Sequence, residues 1–236
     1  MIRITVVNRG PRHDAAPLVP QLIDRLNHLN PRAITYRLAG DILRCDVHNA
    51  ALLQEFDRDM MRYIGARQGG VDAPGGDHEI PIRVVARTRE FVDAHALGTV
   101  DLVDLLDASD FSFCSNVLHI LEERWQTPDY QRRRVVFNRP HREAINQEVE
   151  YLRGVLGDPT LRFIGEYDRA SSVYVVAFQT DGGLRVEHVF TTRGDVATES
   201  ELYVIQGRQR RTLREFVLPR AAAVPPAAAP PPAAAR

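Results

Sequence analysis

The first ninety residues contain six segments of alternating strand and helix periodicity, and their order restricts the fold more than any other feature of the chain. Residues 2–7 (IRITVV) alternate as a strand, with apolar and polar side chains on opposite faces. A helical pattern follows Asp14, which is predicted to be the N-cap. Residues 34–48 (ITYRLAGDILRCDVH) then predict a β-hairpin that turns at Gly40-Asp41.

A second helix and a fourth strand complete the series. The helix is predicted to begin near Asn49, and the segment EIPIRVVART predicts a strand in which Pro81 indicates an edge position. The order βαββαβ predicts a ferredoxin-like domain over residues 1–92, and this arrangement places both helices on one face. We expect an antiparallel sheet with the strand order fourth, first, third, second.

The rest of the chain divides into three parts. Residues 93–135 predict a helical connector, and residues 136–219 predict an α+β domain in which one helix precedes an antiparallel β-meander. The five expected strands of this meander are FIGEYDR, SVYVVAFQT, LRVEHVFTT, SELYVI and TLREFVL. Residues 220–236 consist mainly of Ala and Pro, so we expect a disordered tail.

The predicted first sheet places one arginine per strand on the face that the helices leave open. These residues are Arg3, Arg37, Arg44 and Arg83. The hairpin register puts Arg37 directly opposite Arg44, and like charges at opposed positions destabilise a sheet. We consider three explanations for this face: it is solvated, it binds an external anionic partner, or it is covered by the connector's acidic residues. The acidic residues are Asp101, Asp104, Asp107 and Asp110.

Nucleic acid is a possible partner, although less favoured than protein. The arginine face resembles the RNA-binding platform of RRM domains in position, but it lacks their stacking aromatic side chains. A second basic patch occurs in the run RRRVVFNRPHR. Its residues are Arg132, Arg133, Arg134, Arg139 and Arg142. Short basic runs of this kind can bind nucleic acid, and they also occur as solvated linkers.

The histidines and cysteines do not form a metal-binding motif in the sequence. His141 and Glu148 lie two turns apart on a predicted helix, but two ligands at that distance need a third group to chelate an ion. Cys45 and Cys114 lie among apolar neighbours, so we interpret them as core residues. We therefore expect no metal, no cofactor and no catalytic residue.

Composition limits the class of protein. The formal net charge of -1 argues against attraction of the whole chain to nucleic acid or anionic membranes. No apolar run is long enough to span a membrane, which predicts a cytoplasmic protein. All 30 basic residues are arginine and none is lysine, and GC-rich codon usage or selection against lysine explains this bias.

The motifs of common enzyme classes, such as P-loops and nucleophile elbows, are absent from the sequence. The sequence therefore predicts a non-catalytic protein–protein interaction or assembly component of a larger bacterial system. The alternative is an enzyme or binding protein that acts on a phosphorylated or nucleic-acid ligand through the arginine face.

Overall fold

The computed structural model describes residues 1–65, 79–88, 93–94, 98–127, 138–193 and 197–217. It is an α+β structure with two sheets and helices packed against both. The first sheet has the spatial order β2-β3-β1-β4-β6-β5. Its strands are β1 (Ile2–Val6), β2 (Ile34–Ala39), β3 (Ile42–Val47), β4 (Ile80–Val85), β5 (Asp93–Ala94) and β6 (Thr99–Asp101).

The second sheet is an antiparallel meander with the order β11-β10-β9-β8-β7. Its strands are β7 (Arg162–Ala170), β8 (Val173–Gln179), β9 (Arg185–Arg193), β10 (Ala197–Gln206) and β11 (Gln209–Thr212). The helices are α1 (Val19–Leu29), α2 (Glu55–Ile64), α3 (Leu102–Asp107), α4 (Asp110–Gln126) and α5 (Asn138–Leu156). Among the residues described, no helix combines the length and the apolar character needed to cross a membrane.

The order of the first four strands agrees with the prediction, but β4 does not run antiparallel to β1 as predicted. β1 pairs antiparallel with β3 and parallel with β4. The sheet is therefore mixed, and the ferredoxin-like fold is not confirmed. β4 is also not an edge strand, because β6 pairs with residues 83–85. Pro81 lies outside the residues that pair with β6, so the N–H that proline lacks removes no hydrogen bond between β4 and β6.

The predicted hairpin forms with the expected register. Ala39 faces Ile42 across the turn, and Arg37 faces Arg44. Gly40 has φ 65°, the left-handed conformation that tight hairpin turns require.

The first two helices start later than predicted. Asp14 accepts a hydrogen bond from the N–H of Ala16 but does not cap α1, which begins at Val19. Asn49 caps a 3₁₀ turn at Ala50–Leu52, and α2 begins at Glu55.

The meander is confirmed except for its last strand. Most of TLREFVL is helical, because residues 213–217 form a helical turn. Thr212 and Glu215 form a capping box in which each side chain accepts a hydrogen bond from the other residue's backbone N–H. Leu213 and Phe216 are buried at the i, i+3 spacing of one helix face.

Both early helices cover the same face of the first sheet, as predicted. Leu26 of α1 and Met60 of α2 line one small internal cavity together with Ile2 and Ile4 of β1. Buried apolar side chains from both sheets form one contiguous core cluster. α4 packs against β4 of the first sheet and β10 of the second, so it joins the two halves. The domain boundaries expected from the sequence remain predictions.

Candidate functional site

Two packed helices, α4 and α5, bring histidine and glutamate side chains together beside the second sheet. His119 and Glu123 are four residues apart on α4, which places them on one helix face. His141 lies in the first turns of α5, where that helix passes this face. Tertiary packing thus supplies the additional ligands that His141 lacks in its own helix.

The Glu123 carboxylate lies between the two imidazole rings. Its Oε1 atom is 3.2 Å from His119 Nε2 and 3.0 Å from His141 Nδ1. These three atoms, one from each side chain, lie within 4.8 Å of one another. The Glu123 side chain is 2% exposed, whereas those of His119 and His141 are 17% and 18% exposed. The cluster is therefore buried on its carboxylate side and reachable by solvent on its imidazole side.

A second carboxylate contacts the far nitrogen of each ring. His119 Nδ1 is 2.6 Å from Glu148 Oε1, and His141 Nε2 is 3.1 Å from Glu166 Oε2. Glu166 lies on β7 and also accepts a hydrogen bond from the Tyr174 hydroxyl of β8. Both imidazoles are thus held between two carboxylates, which fixes the orientation of each ring.

Glu148 connects this cluster to a buried polar layer. Its Oε2 atom accepts a hydrogen bond from the Ser115 hydroxyl at 2.6 Å and lies 3.1 Å from His188 Nδ1. His188 Nε2 is 2.7 Å from Ser112 Oγ. This Ser–His–carboxylate order is that of a hydrolase triad. Ser112 and His188 are both 0% exposed, so the hydroxyl is closed to solvent in this structure.

Electrostatics favours ionised forms in this network. Burial opposes the charge on Glu148, but hydrogen bonds from His119 and His188 outweigh it and hold the pKa of the carboxyl well below its usual range. Burial likewise opposes the charge on His119, yet Glu123 and Glu148 raise its pKa well above the ordinary value. Partial burial and the neighbouring His119 oppose the charge on His141, yet Glu123 and Glu166 raise its pKa above the ordinary value.

This cluster adds partners to the His141 and Glu148 pair considered in the sequence. His141 and Glu148 share a face of α5 as predicted, but Glu148 bonds to His119 and His188. The sequence interpretation missed His119 and Glu123, although their i, i+4 spacing is visible as HILEE.

The four arginines predicted as a surface lie on one face of the first sheet. The register places Arg3 beside Ile42, on the same side as Arg44, and Arg83 beside Thr5. Nearby carboxylates bond Arg3 and Arg37. Arg3 donates to Asp41 and Glu79, and Arg37 donates to Asp46 at 2.9 Å. Asp46 therefore offsets the repulsion between Arg37 and Arg44.

The acidic residues of the connector do not cover this face. Leu102 and Leu105 of α3 line the internal cavity with Ile2, on the opposite side of the sheet. Asp104 accepts a hydrogen bond from the N–H of Thr198, and Asp110 pairs with Arg25. The explanation in which the acidic helix lies across the arginines is wrong.

The second basic patch is partly visible. Arg139 and Arg142 are exposed in the first turns of α5, whereas Arg132, Arg133 and Arg134 lie outside the described residues.

Comparison of the chain with protein-family models, with curated proteins and with solved structures finds no match in any of the three. The site must therefore be interpreted from its own geometry.

Proposed function

We propose that this chain is a non-catalytic protein-interaction or assembly component, and that its protein partner pairs with the edge strand β7. The observation that supports this is an exposed apolar group on β7. Among the described residues, six large hydrophobic side chains are exposed, and three of them are Phe163, Ile164 and Tyr167 of this strand. Exposed apolar side chains grouped on one element are typical of an interaction surface.

β7 is the longest of the four edge strands in the described residues. It has 9 residues, whereas β5 has 2 and β11 has 4. The remaining edge strand, β2, is covered by Asn27 of α1. Its side chain accepts from the N–H of Tyr36 at 2.6 Å and donates to the C=O of Tyr36 at 3.0 Å. Within the described part of the chain, β7 pairs with β8 alone. A long edge strand can accept a partner strand, which makes β-augmentation the expected binding mode.

The alternative is a protein that acts on a phosphorylated or nucleic-acid ligand through the arginine face. An anion there would compete with carboxylates that already bond Arg3 and Arg37. The cleft of about 510 Å³ between α1, α2, α4 and α5 is lined by other residues, including His28, Tyr151 and Arg214. These observations support a protein partner over an anionic ligand.

The test replaces Ile164 by glutamate and compares this variant with Leu52→Glu. Both side chains are exposed, at 41% and 42%, but Leu52 lies outside the second sheet. A charge on an edge strand opposes pairing. We expect wild type and Leu52→Glu to retain the same protein from an extract of the native host, and Ile164→Glu to lose it.

Light scattering on the purified variants distinguishes a second copy of the chain from a different protein. Equal retention by Ile164→Glu and wild type, with no difference in mass, would contradict the proposal.

A further inference from the structure

Three side chains from two helices converge on one point at the surface of the second half of the chain. We infer that His119 Nε2, His141 Nδ1 and one Glu123 oxygen bind a single divalent transition-metal ion of the zinc class. This site does not depend on the partner proposed for β7.

The distances between the ligand atoms suit such an ion. Zinc binds imidazole nitrogen and carboxylate oxygen at about 2.0–2.2 Å, so two ligands of a tetrahedral site lie about 3.3 Å apart. Glu123 Oε1 is 3.2 Å from His119 Nε2 and 3.0 Å from His141 Nδ1. The two imidazole nitrogens lie within 4.8 Å of each other, so they need to approach by no more than about 1.5 Å to place all three atoms around one ion.

The outer contacts supply the second shell of a metal site. A ligating histidine usually donates its other N–H to a carboxylate, which fixes the tautomer and orients the lone pair toward the metal. Glu148 stands at His119 Nδ1, and Glu166 stands at His141 Nε2. In both rings the remaining nitrogen is the one that faces Glu123 Oε1, so a metal ion that displaces the protons from these two nitrogens would find both lone pairs on the side of that carboxylate.

The ligand types restrict the metal. Calcium and magnesium prefer sites made of oxygen atoms alone, whereas imidazole suits zinc, iron, nickel and copper. Two histidines and one carboxylate also leave a coordination position for water or another small ligand. The partly exposed imidazoles give an ion access from solvent.

The competing explanation is a proton-bridged network in which charged histidines pair with the glutamates and no metal binds. Both explanations use the same contacts. They differ in whether a stoichiometric ion displaces the protons from His119 Nε2 and His141 Nδ1.

The experiment uses the untagged full-length chain, stripped with a chelator and titrated with Zn²⁺ against a chromophoric competitor. We expect one Zn²⁺ per chain. Glu148→Gln should weaken binding by about 10- to 100-fold, the usual effect of losing an outer-shell partner, and Glu123→Gln and His141→Asn should weaken it further. His48→Asn, an exposed histidine on the first half of the chain, serves as the matched control and should bind as wild type.

Histidine side-chain NMR on the wild-type chain keeps the test decisive if a variant fails to fold. At one equivalent of Zn²⁺, the nitrogen signals of His119 Nε2 and His141 Nδ1 should shift. No saturable binding, equal affinity in wild type and Glu123→Gln, or shifts confined to other histidines would overturn the assignment.

Discussion

The two sheets differ in where their charged side chains lie and in which edge strand is exposed. The first sheet exposes its arginines and their carboxylate partners on an open face, and Asn27 covers its edge strand β2. At the second sheet, His188 of β9 and Glu148 of α5 are buried against each other, and β7 is exposed. The ion pairs of the first sheet's open face are therefore solvated, whereas those between α5 and the second sheet are desolvated.

This difference has an energetic consequence. An exposed ion pair contributes about 0–1 kcal/mol, because water screens it. Breaking a buried pair costs about 3–5 kcal/mol, because the remaining charge stays desolvated. Substitutions of the buried charges between α5 and the second sheet should thus have large effects, and substitutions on the first sheet's open face should have small ones.

The largest expected effect comes from Glu148→Ala. This change removes the acceptor for Ser115, His119 and His188 at once and leaves their polar groups buried. We expect the free energy of unfolding to fall by about 3–5 kcal/mol, as measured by urea denaturation.

Glu150→Ala is the matched control on the same helix. Glu150 is exposed and pairs with Arg153 within one turn, so its loss should cost no more than about 0.5 kcal/mol. Similar losses for the two variants would remove the energetic contrast between buried and exposed charge.

Asp104→Asn tests a buried carboxylate at the contact between the two halves. Asp104 lies on α3, and its Oδ1 accepts a hydrogen bond from the N–H of Thr198 on β10. Its buried Oδ2 has no hydrogen-bond partner among the described residues. Burial raises the pKa of the carboxyl to about 7, against about 3.9 in an unfolded chain.

Because the folded state binds this proton more tightly, wild-type stability should fall as pH rises from about 4 to about 7 and then level off. The asparagine variant lacks this loss, so it should gain on the order of 2–4 kcal/mol over wild type between pH 5 and pH 8. Parallel denaturation series at several pH values measure the difference. Asp107→Asn, an exposed change on the same helix, controls for the loss of one negative charge. A pH-independent difference for Asp104→Asn would show that its carboxyl titrates normally.

Local features of the fold could be predicted from the sequence, and non-local ones could not. The hairpin register was predictable because Gly40-Asp41 sets the turn and period-two alternation sets the faces. The direction of β4 depends on how the chain returns after α2, which periodicity does not encode. The prediction of a final strand at TLREFVL was wrong because its apolar residues fit both the strand period of two and the helix period of 3.6. The capping box at Thr212 and Glu215 was a local signal for a helix.

The candidate site illustrates the same limit. His119 and Glu123 belong to a helix with an extensively buried surface, and their spacing alone does not distinguish a ligand pair from an ordinary i, i+4 contact. The cluster exists because α4 packs on α5 and brings His141 against them. Its chemistry is a property of tertiary packing, whereas the arginine face followed from strand alternation alone.

The smallest effects are expected on the arginine face. Arg44→Ala should change stability by only a few tenths of a kcal/mol and should be neutral or mildly stabilising, because it relieves the repulsion between opposed arginines. Arg37→Ala relieves the same repulsion but also breaks the exposed pair with Asp46, so it should lower the free energy of unfolding by a few tenths of a kcal/mol. In a double-mutant cycle, a repulsive coupling should appear at low salt and vanish near 1 M salt, where the Debye length is about 3 Å.

Thermal melts with added phosphate or oligonucleotide test whether an anion binds the arginine face. We expect no stabilisation, because carboxylates already pair with Arg3 and Arg37. A stabilisation of wild type that both variants lose would mean that an anion binds there.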